Sequence, residues 1–138
     1  MKNIILIGLL IMPGLGFSQS EAESALVVMS KAVAVSSCEN NINYKELFSL
    51  ALSGQYKGAA TMEWLSEINE TALFKCPVGF LRYLSSLSEK EQNVVLKYFG
   101  IVNPPWVIAA ALKPYENSPE LSGFINGKLG GFKNYSKP

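Results

Sequence analysis

The residues best spaced for chemistry are Glu63, Glu67 and Glu70, which fall at i, i+4 and i+7. They therefore share one face of a helix, with neighbouring Cβ atoms about 5 to 6 Å apart. Carboxylate pairs perform glycoside hydrolysis, one giving a proton while the other attacks or activates water. That reaction needs the pair to face each other across a cleft, with one member in apolar surroundings. This stripe instead lies opposite Met62, Leu65 and Ile68 and reads as the solvated side of an amphipathic helix. Glutamates alone at helical spacing also supply too few ligands for a metal ion. The expectation is a protein that is not an enzyme, with no catalytic, cofactor-binding or metal-binding residue.

Composition narrows the chemistry further. Histidine and aspartate are absent, so all eleven side-chain carboxylates are glutamates. Ser-His-Asp and Cys-His catalysis, histidine-ligated zinc, aspartate-rich calcium loops and histidine pH switches lack their central parts. Gly123-Phe124-Ile125-Asn126-Gly127-Lys128 has the flavour of a phosphate-binding loop, but its glycines are one residue too close, no Ser or Thr follows Lys128 and no strand pattern precedes it. Nucleophile-elbow and Ser-x-x-Lys patterns are missing from the chain after its leader.

That leader is Met1 to Ser18: Lys2, an apolar run from Ile4 to Ile11, and small residues Gly16 and Ser18 at the −3 and −1 positions of a cleavage site. The run is short for a bilayer span with such flanks, so it reads as a cleaved export signal with Gln19 as the first mature residue. No cysteine lies near the site to take a lipid, and no later segment reads as a transmembrane span. The expected location is periplasmic or extracellular. About 120 residues then remain, enough for one domain with a real core. The chain has twelve basic and eleven acidic side chains, and Lys2 leaves with the leader. No net field draws the remainder to nucleic acid or to an anionic membrane.

Cys38 and Cys76 are the two cysteines. In an oxidising compartment, with no redox or metal motif around them, an even pair reads as a disulfide. Closing a loop of that length stabilises a fold by roughly 4 kcal/mol in the chain-entropy model.

The elements around these residues read as helices. Ser20 with Glu23 has capping-box spacing, and Ala22, Leu26, Met29 and Val33 recur at helical intervals, which predicts a helix from about Glu21 to Ser37. Asn43 with Glu46 opens a second over Tyr44 to Ser53, with Gly54 as its stop. Cys76-Pro77 starts a fourth, whose apolar stripe is Phe80, Leu81, Leu84 and Leu87. Ser88 with Glu91 caps a fifth, with Val94, Val95, Tyr98 and Phe99 inward and Gly100 as its end. Asn103-Pro104-Pro105 opens a sixth over Trp106 to Leu112, and Pro114 closes it. After Leu121 the glycines at 123, 127, 130 and 131 disfavour helix and predict a loop or frayed end.

Between the second and third helices, Gly54, Tyr56 and Ala59 are spaced as in the turn of a tetratricopeptide helix hairpin, and the segment resembles half of one such repeat. The resemblance implies only geometry, an antiparallel pair formed by Tyr44 to Ser53 and Tyr56 to Glu70.

The least bland region is the C-terminal stretch, where Lys128, Lys133 and Lys137 occur with no acid and are interleaved with Phe124, Phe132 and Tyr135. Cationic and aromatic side chains on such a segment suit the surface of an acidic partner. Trp106, just behind two prolines at a helix start, is a further contact anchor. Lys128, Phe132, Lys133, Tyr135 and Trp106 are thus the expected partner-binding residues. Stacking on single-stranded nucleic acid would use the same groups, but export argues against that partner. Asn69-Glu70-Thr71 and Asn134-Tyr135-Ser136 are formal glycosylation sequons.

The combined reading is an all-α chain: a leader over 1–18, one helical domain of five or six short helices over 19–121, and a glycine-rich basic segment over 122–138. A disulfide staples the first helix to the fourth. In size, leader and cysteine pair it resembles the small helical periplasmic immunity proteins that neutralise cell-wall-degrading toxins. That resemblance implies an exported, non-catalytic protein that occludes a partner such as a toxin or hydrolase, free or as a homodimer. The alternatives are a structural or adaptor subunit of an envelope or secretion assembly and, third, a glutamate-dependent hydrolase.

Overall fold

The computed structural model describes residues 17–40 and 42–138, and their side chains from residue 21 onward. Among these residues the fold is all-α, with seven helices and no strand. Of the leader expected over residues 1–18, residues 1–16 lie outside the described residues.

Helix α1, Phe17–Val35, begins before the expected cap, so Ser20 sits inside the helix rather than at its end. Phe17, Ser18 and Gln19 include no helix breaker, and local capping potential at Ser20 does not stop the backbone from bonding through it. Its buried face is Ala22, Leu26, Met29 and Val33, the stripe that the spacing marked. The end of α1 is held from outside: the Lys75 ammonium donates to the carbonyls of Ala34 and Ser36. A cation there satisfies orphan carbonyls and suits the negative end of the helix.

Helix α2, Tyr44–Leu52, is capped by Asn43, whose side chain accepts the Glu46 amide at 3.2 Å, and the chain turns out of it at Gly54, φ +70°. Helix α3, Ala59–Lys75, starts three residues later and ends five later than the resemblance to a repeat hairpin implies. Tyr56, expected at the start of the third helix, belongs instead to the connecting loop. Its ring is buried in the core, its hydroxyl donates to the Ala22 carbonyl at 3.0 Å, and its own carbonyl accepts from the Tyr98 hydroxyl at 2.9 Å. Burial raises the pKa of the Tyr56 hydroxyl.

Cys76 ends α3 and precedes α4, Pro77–Ser86, at a proline in the first turn. It is bonded to Cys38, in the loop after α1, with Cα atoms 5.0 Å apart and a sequence separation of 38. Helix α5, Glu89–Leu96, carries both halves of its capping box, and Gly100 follows it at φ +74°. Hydrogen bonds from Ser88 hold the Glu91 carboxyl below the usual carboxylate pKa.

Helix α6, Pro105–Leu112, ends at Leu112 ahead of Pro114 as expected, and the chain continues through a separate 3-10 turn over Lys113–Tyr115. Proline is tolerated there because a first turn asks for no amide donor. The expected loop or frayed end beyond Leu121 is corrected. Helix α7 spans Ser122–Gly127, and a 3-10 turn spans Gly130–Asn134. Leu121, Ile125 and Leu129, at i, i+4 and i+8, are buried, while Gly123, Gly127 and Gly131 are on the outside. The apolar stripe stabilises the segment by packing, which outweighs a propensity cost of about 1 kcal/mol per glycine.

One hydrophobic cluster takes residues from all seven helices, and α3 lies at its centre against α1 and α4. Phe48 and Phe80 meet edge to face at 5.1 Å, and Phe80 stacks on Phe99 at 5.8 Å, which joins α2, α4 and the end of α5. Outside the core, Arg82 and Glu120 form a two-bond ion pair at 2.5 and 2.9 Å that ties α4 to the entry of α7.

Candidate partner-binding groove and the buried carboxylate beside it

Pro105 to Leu112 contains no charged or hydrogen-bonding side chain other than the indole of Trp106. A helix apolar all round is normally covered all round. Here only Ile108 and Leu112 are fully buried. The opposite side of α6, with Trp106, Val107, Ala109 and Ala110, instead floors an open groove of about 640 Å³. Its remaining walls are Lys113, Glu116, Lys133, Tyr135 and Lys137.

Three of the five expected contact residues, Trp106, Lys133 and Tyr135, thus meet on one surface from segments almost thirty residues apart. The Lys133 ammonium pairs with the Glu116 carboxylate at 3.3 Å and donates to the side-chain oxygen of Asn126. Asn126 in turn donates to the Glu116 carbonyl at 3.0 Å. This cluster fixes the 3-10 turn Gly130–Asn134 against the chain leaving α6. Tyr135 is extended and more than half exposed.

The other two expected contact residues are placed elsewhere. Phe132 turns inward, edge to face on Phe99 at 5.8 Å. It also lies so close to Gly100 that a Cβ built there would stand 2.8 Å from the ring. Lys128 is mostly covered and pairs with Glu89 at 3.5 Å, away from the groove lining. Sequence reasoning left out Lys113 and the small residues Ala109 and Ala110. A signal was available, since Trp106, Ala109, Ala110 and Lys113 fall at i, i+3, i+4 and i+7 and mark one face.

The acidic stripe divides. Glu63 and Glu67 are exposed, as a solvated face requires, and Glu67 lines a hollow of about 210 Å³ that no second carboxylate enters. Glu70 is 0 % exposed, which corrects its reading as a solvated residue. One of its oxygens accepts from the Ser66 hydroxyl at 2.6 Å and from the amides of Gly100, Ile101 and Val102 at 2.9, 3.1 and 3.3 Å. The other accepts from the Asn103 amide at 2.8 Å and from the Asn103 side chain. The Ser66 hydroxyl accepts a further bond from the Ile101 amide at 3.2 Å.

Successive N–H groups curled round one anion form a nest, and here the anion is the protein's own side chain. Such charge-assisted bonds are stronger than neutral ones, and together they replace the water that the carboxylate lost. Both oxygens are saturated, so this group is built to hold a loop rather than to meet a substrate. The loop it holds runs from α5 to α6 directly before Pro104-Pro105 and displays Ile101 and Val102 to solvent.

Two further sequence signals are resolved by position. Asn69 is buried on α3 and donates to the Tyr98 carbonyl at 2.9 Å, so its sequon is closed to a glycosylating enzyme in the folded protein. Asn134 is exposed. Among the described residues no group of three or more cysteine or acidic side chains is arranged to hold a metal, and no helix is long and apolar enough to cross a membrane. No protein-family model, curated protein or solved structure matches the chain.

Proposed function

We propose that this is an exported, non-catalytic binding protein that works by occupying the surface of a partner protein, in the manner of an inhibitor or immunity protein. The observation that carries the reading is the uncovered side of α6: an apolar helix face with a tryptophan, left open between cationic walls. Exposed apolar surface of this kind is retained where a partner covers it. A tryptophan and a tyrosine at the edge supply large contact area for little conformational entropy. The leader over residues 1–18 and the Cys38–Cys76 bond support an oxidising compartment outside the cytoplasm.

A photo-crosslinking amino acid placed at Ala110, on the exposed floor of the groove, tests this in the envelope of the producing cell. The expected result is one dominant crosslinked protein from position 110 and none from the same amino acid at Glu63, on the exposed side of α3. Equal products from both positions, or capture from Glu63 alone, would remove the groove from the interface.

A further inference from the structure

Resting on that reading, we infer that the groove takes an extended, acidic and apolar segment of the partner chain. Charge is the first argument. Four ionisable side chains other than tyrosine line the groove, Lys113, Lys133, Lys137 and Glu116. Glu116 is consumed by Lys133 at 3.3 Å, whereas Lys113 and Lys137 have no acidic partner among the described residues. Two unpaired cations therefore flank an apolar floor, which complements carboxylates on either side of an aromatic or aliphatic side chain.

Shape is the second argument. From Trp106 on the floor to Lys113 on the wall the lining advances seven residues, about 10 Å along a helix. An extended chain covers that length with about three residues, and its alternate side chains face one way.

The third argument is the outer wall itself. Past the 3-10 turn Gly130–Asn134, Tyr135 has φ −106° and ψ 114°, and its amide bonds back to the Phe132 carbonyl at 3.5 Å. The amides of Ser136 and Lys137 have no backbone partner among the described residues. Open amides beside an extended residue are what an incoming extended segment can pair with, main chain to main chain.

The test uses the disulfide-bonded protein carrying Trp64→Phe, so that Trp106 is the one remaining tryptophan of the two in the chain. The probe is a capped hexapeptide, Glu-Leu-Phe-Glu-Leu-Glu, with a control in which lysine replaces each glutamate and another in which serine replaces each apolar residue. The acidic apolar peptide is expected to shift the Trp106 emission to the blue with saturation, at least tenfold more tightly than either control. That binding is expected to weaken at least fivefold between 0.05 and 0.5 M salt, by the screening of about ten-ångström interactions, and at least fivefold in Lys113→Ala with Lys137→Ala. Equal binding of the lysine peptide, or no saturable shift with the acidic one, overturns the inference. So does partition onto phosphatidylglycerol vesicles without peptide binding, which would make the groove a lipid site. The crosslink from Ala110 separates the two levels: a captured protein joined through a basic or folded surface sinks the inference and leaves the occlusion reading standing, while absence of the groove from any interface sinks both.

Discussion

Glu70 and Asn103 are joined twice, the carboxylate of one accepting both the backbone amide of the other, at 2.8 Å, and its side-chain amide. The two residues are 33 apart in the chain. Asn103 stands directly before Pro104-Pro105, so this double contact sets where α6 begins and which way Trp106 leaves the surface. The buried carboxylate is thus a structural support of the groove.

Glu70→Gln is expected to be strongly destabilising, because an amide nitrogen replaces one acceptor and faces donors. Loss of at least two charge-assisted bonds costs on the order of 3 kcal/mol, and for a chain of this size lowers the Tm by roughly 10 to 15 °C. Glu63→Gln, two turns earlier on the same face, is expected to stay within about 0.5 kcal/mol of the parent. Thermal unfolding of both variants checks the contrast; equal effects would remove Glu70 from its assigned role.

Gly100 and Gly54 both have positive φ, but only Gly100 lies against a ring. Alanine at a left-handed position costs about 1 to 2 kcal/mol, which both substitutions incur. Gly100→Ala adds a 2.8 Å approach to Phe132, whereas nothing lies within 4 Å at Gly54. Denaturant midpoints are expected to fall further for Gly100→Ala, and the excess is expected to shrink in a Phe132→Ala background.

Truncation after Leu121 would remove Ile125 and Leu129, both buried, together with the Phe132 contact on Phe99. Burial of each large apolar side chain contributes about 1.5 to 3 kcal/mol, so the truncated chain is expected to unfold at much lower temperature or to remain unfolded. Binding lost on truncation therefore says nothing about Tyr135. Tyr135→Ala, at an exposed position, is the variant expected to keep the parental Tm while weakening partner binding.

The Cys38–Cys76 bond closes a separation of 38 residues. Thiol titration of the unfolded, unreduced protein is expected to find no free thiol. Reduction is expected to cost roughly 4 kcal/mol by the chain-entropy relation, seen as a lower Tm with helical circular dichroism retained below the transition. An unchanged Tm would show that the crosslink adds nothing.

Acid is expected to weaken the tie between α4 and the entry of α7. The hydrogen bonds from Arg82 hold the Glu120 carboxyl below its ordinary value of 4.5. The pair therefore contributes its full stabilisation above about pH 4.5 and loses it as pH falls through the depressed folded-state value. The Tm difference between the parent and Glu120→Gln is expected to be present at pH 7 and to vanish in strong acid. Both partners are exposed, so added salt is expected to reduce it as well.

Local sequence determined a good deal of this molecule. Asn43 and the Ser88/Glu91 box set the starts of α2 and α5, because a cap is a bond between residues three apart. Gly54 and Gly100 set the ends of those segments, since they alone enter the left-handed region at little cost. The disulfide followed from the even cysteine count and the expected leader, and the α1 face from its period. Tertiary structure decided the rest. Glu63 and Glu70 point within about 20° of each other round the helix axis, yet one is exposed and the other enclosed. Periodicity reads direction around a helix and carries no information on what lies over it; here the loop from Gly100 to Asn103 covers the second position and not the first. The helicity of residues 122–127 was hidden for a related reason, since propensity counts the glycines while Ile125 and Leu129 act only once a core exists to receive them. The groove, too, exists only after folding, because Trp106 and Tyr135 become neighbours through Lys133, Glu116 and Asn126 rather than through the chain.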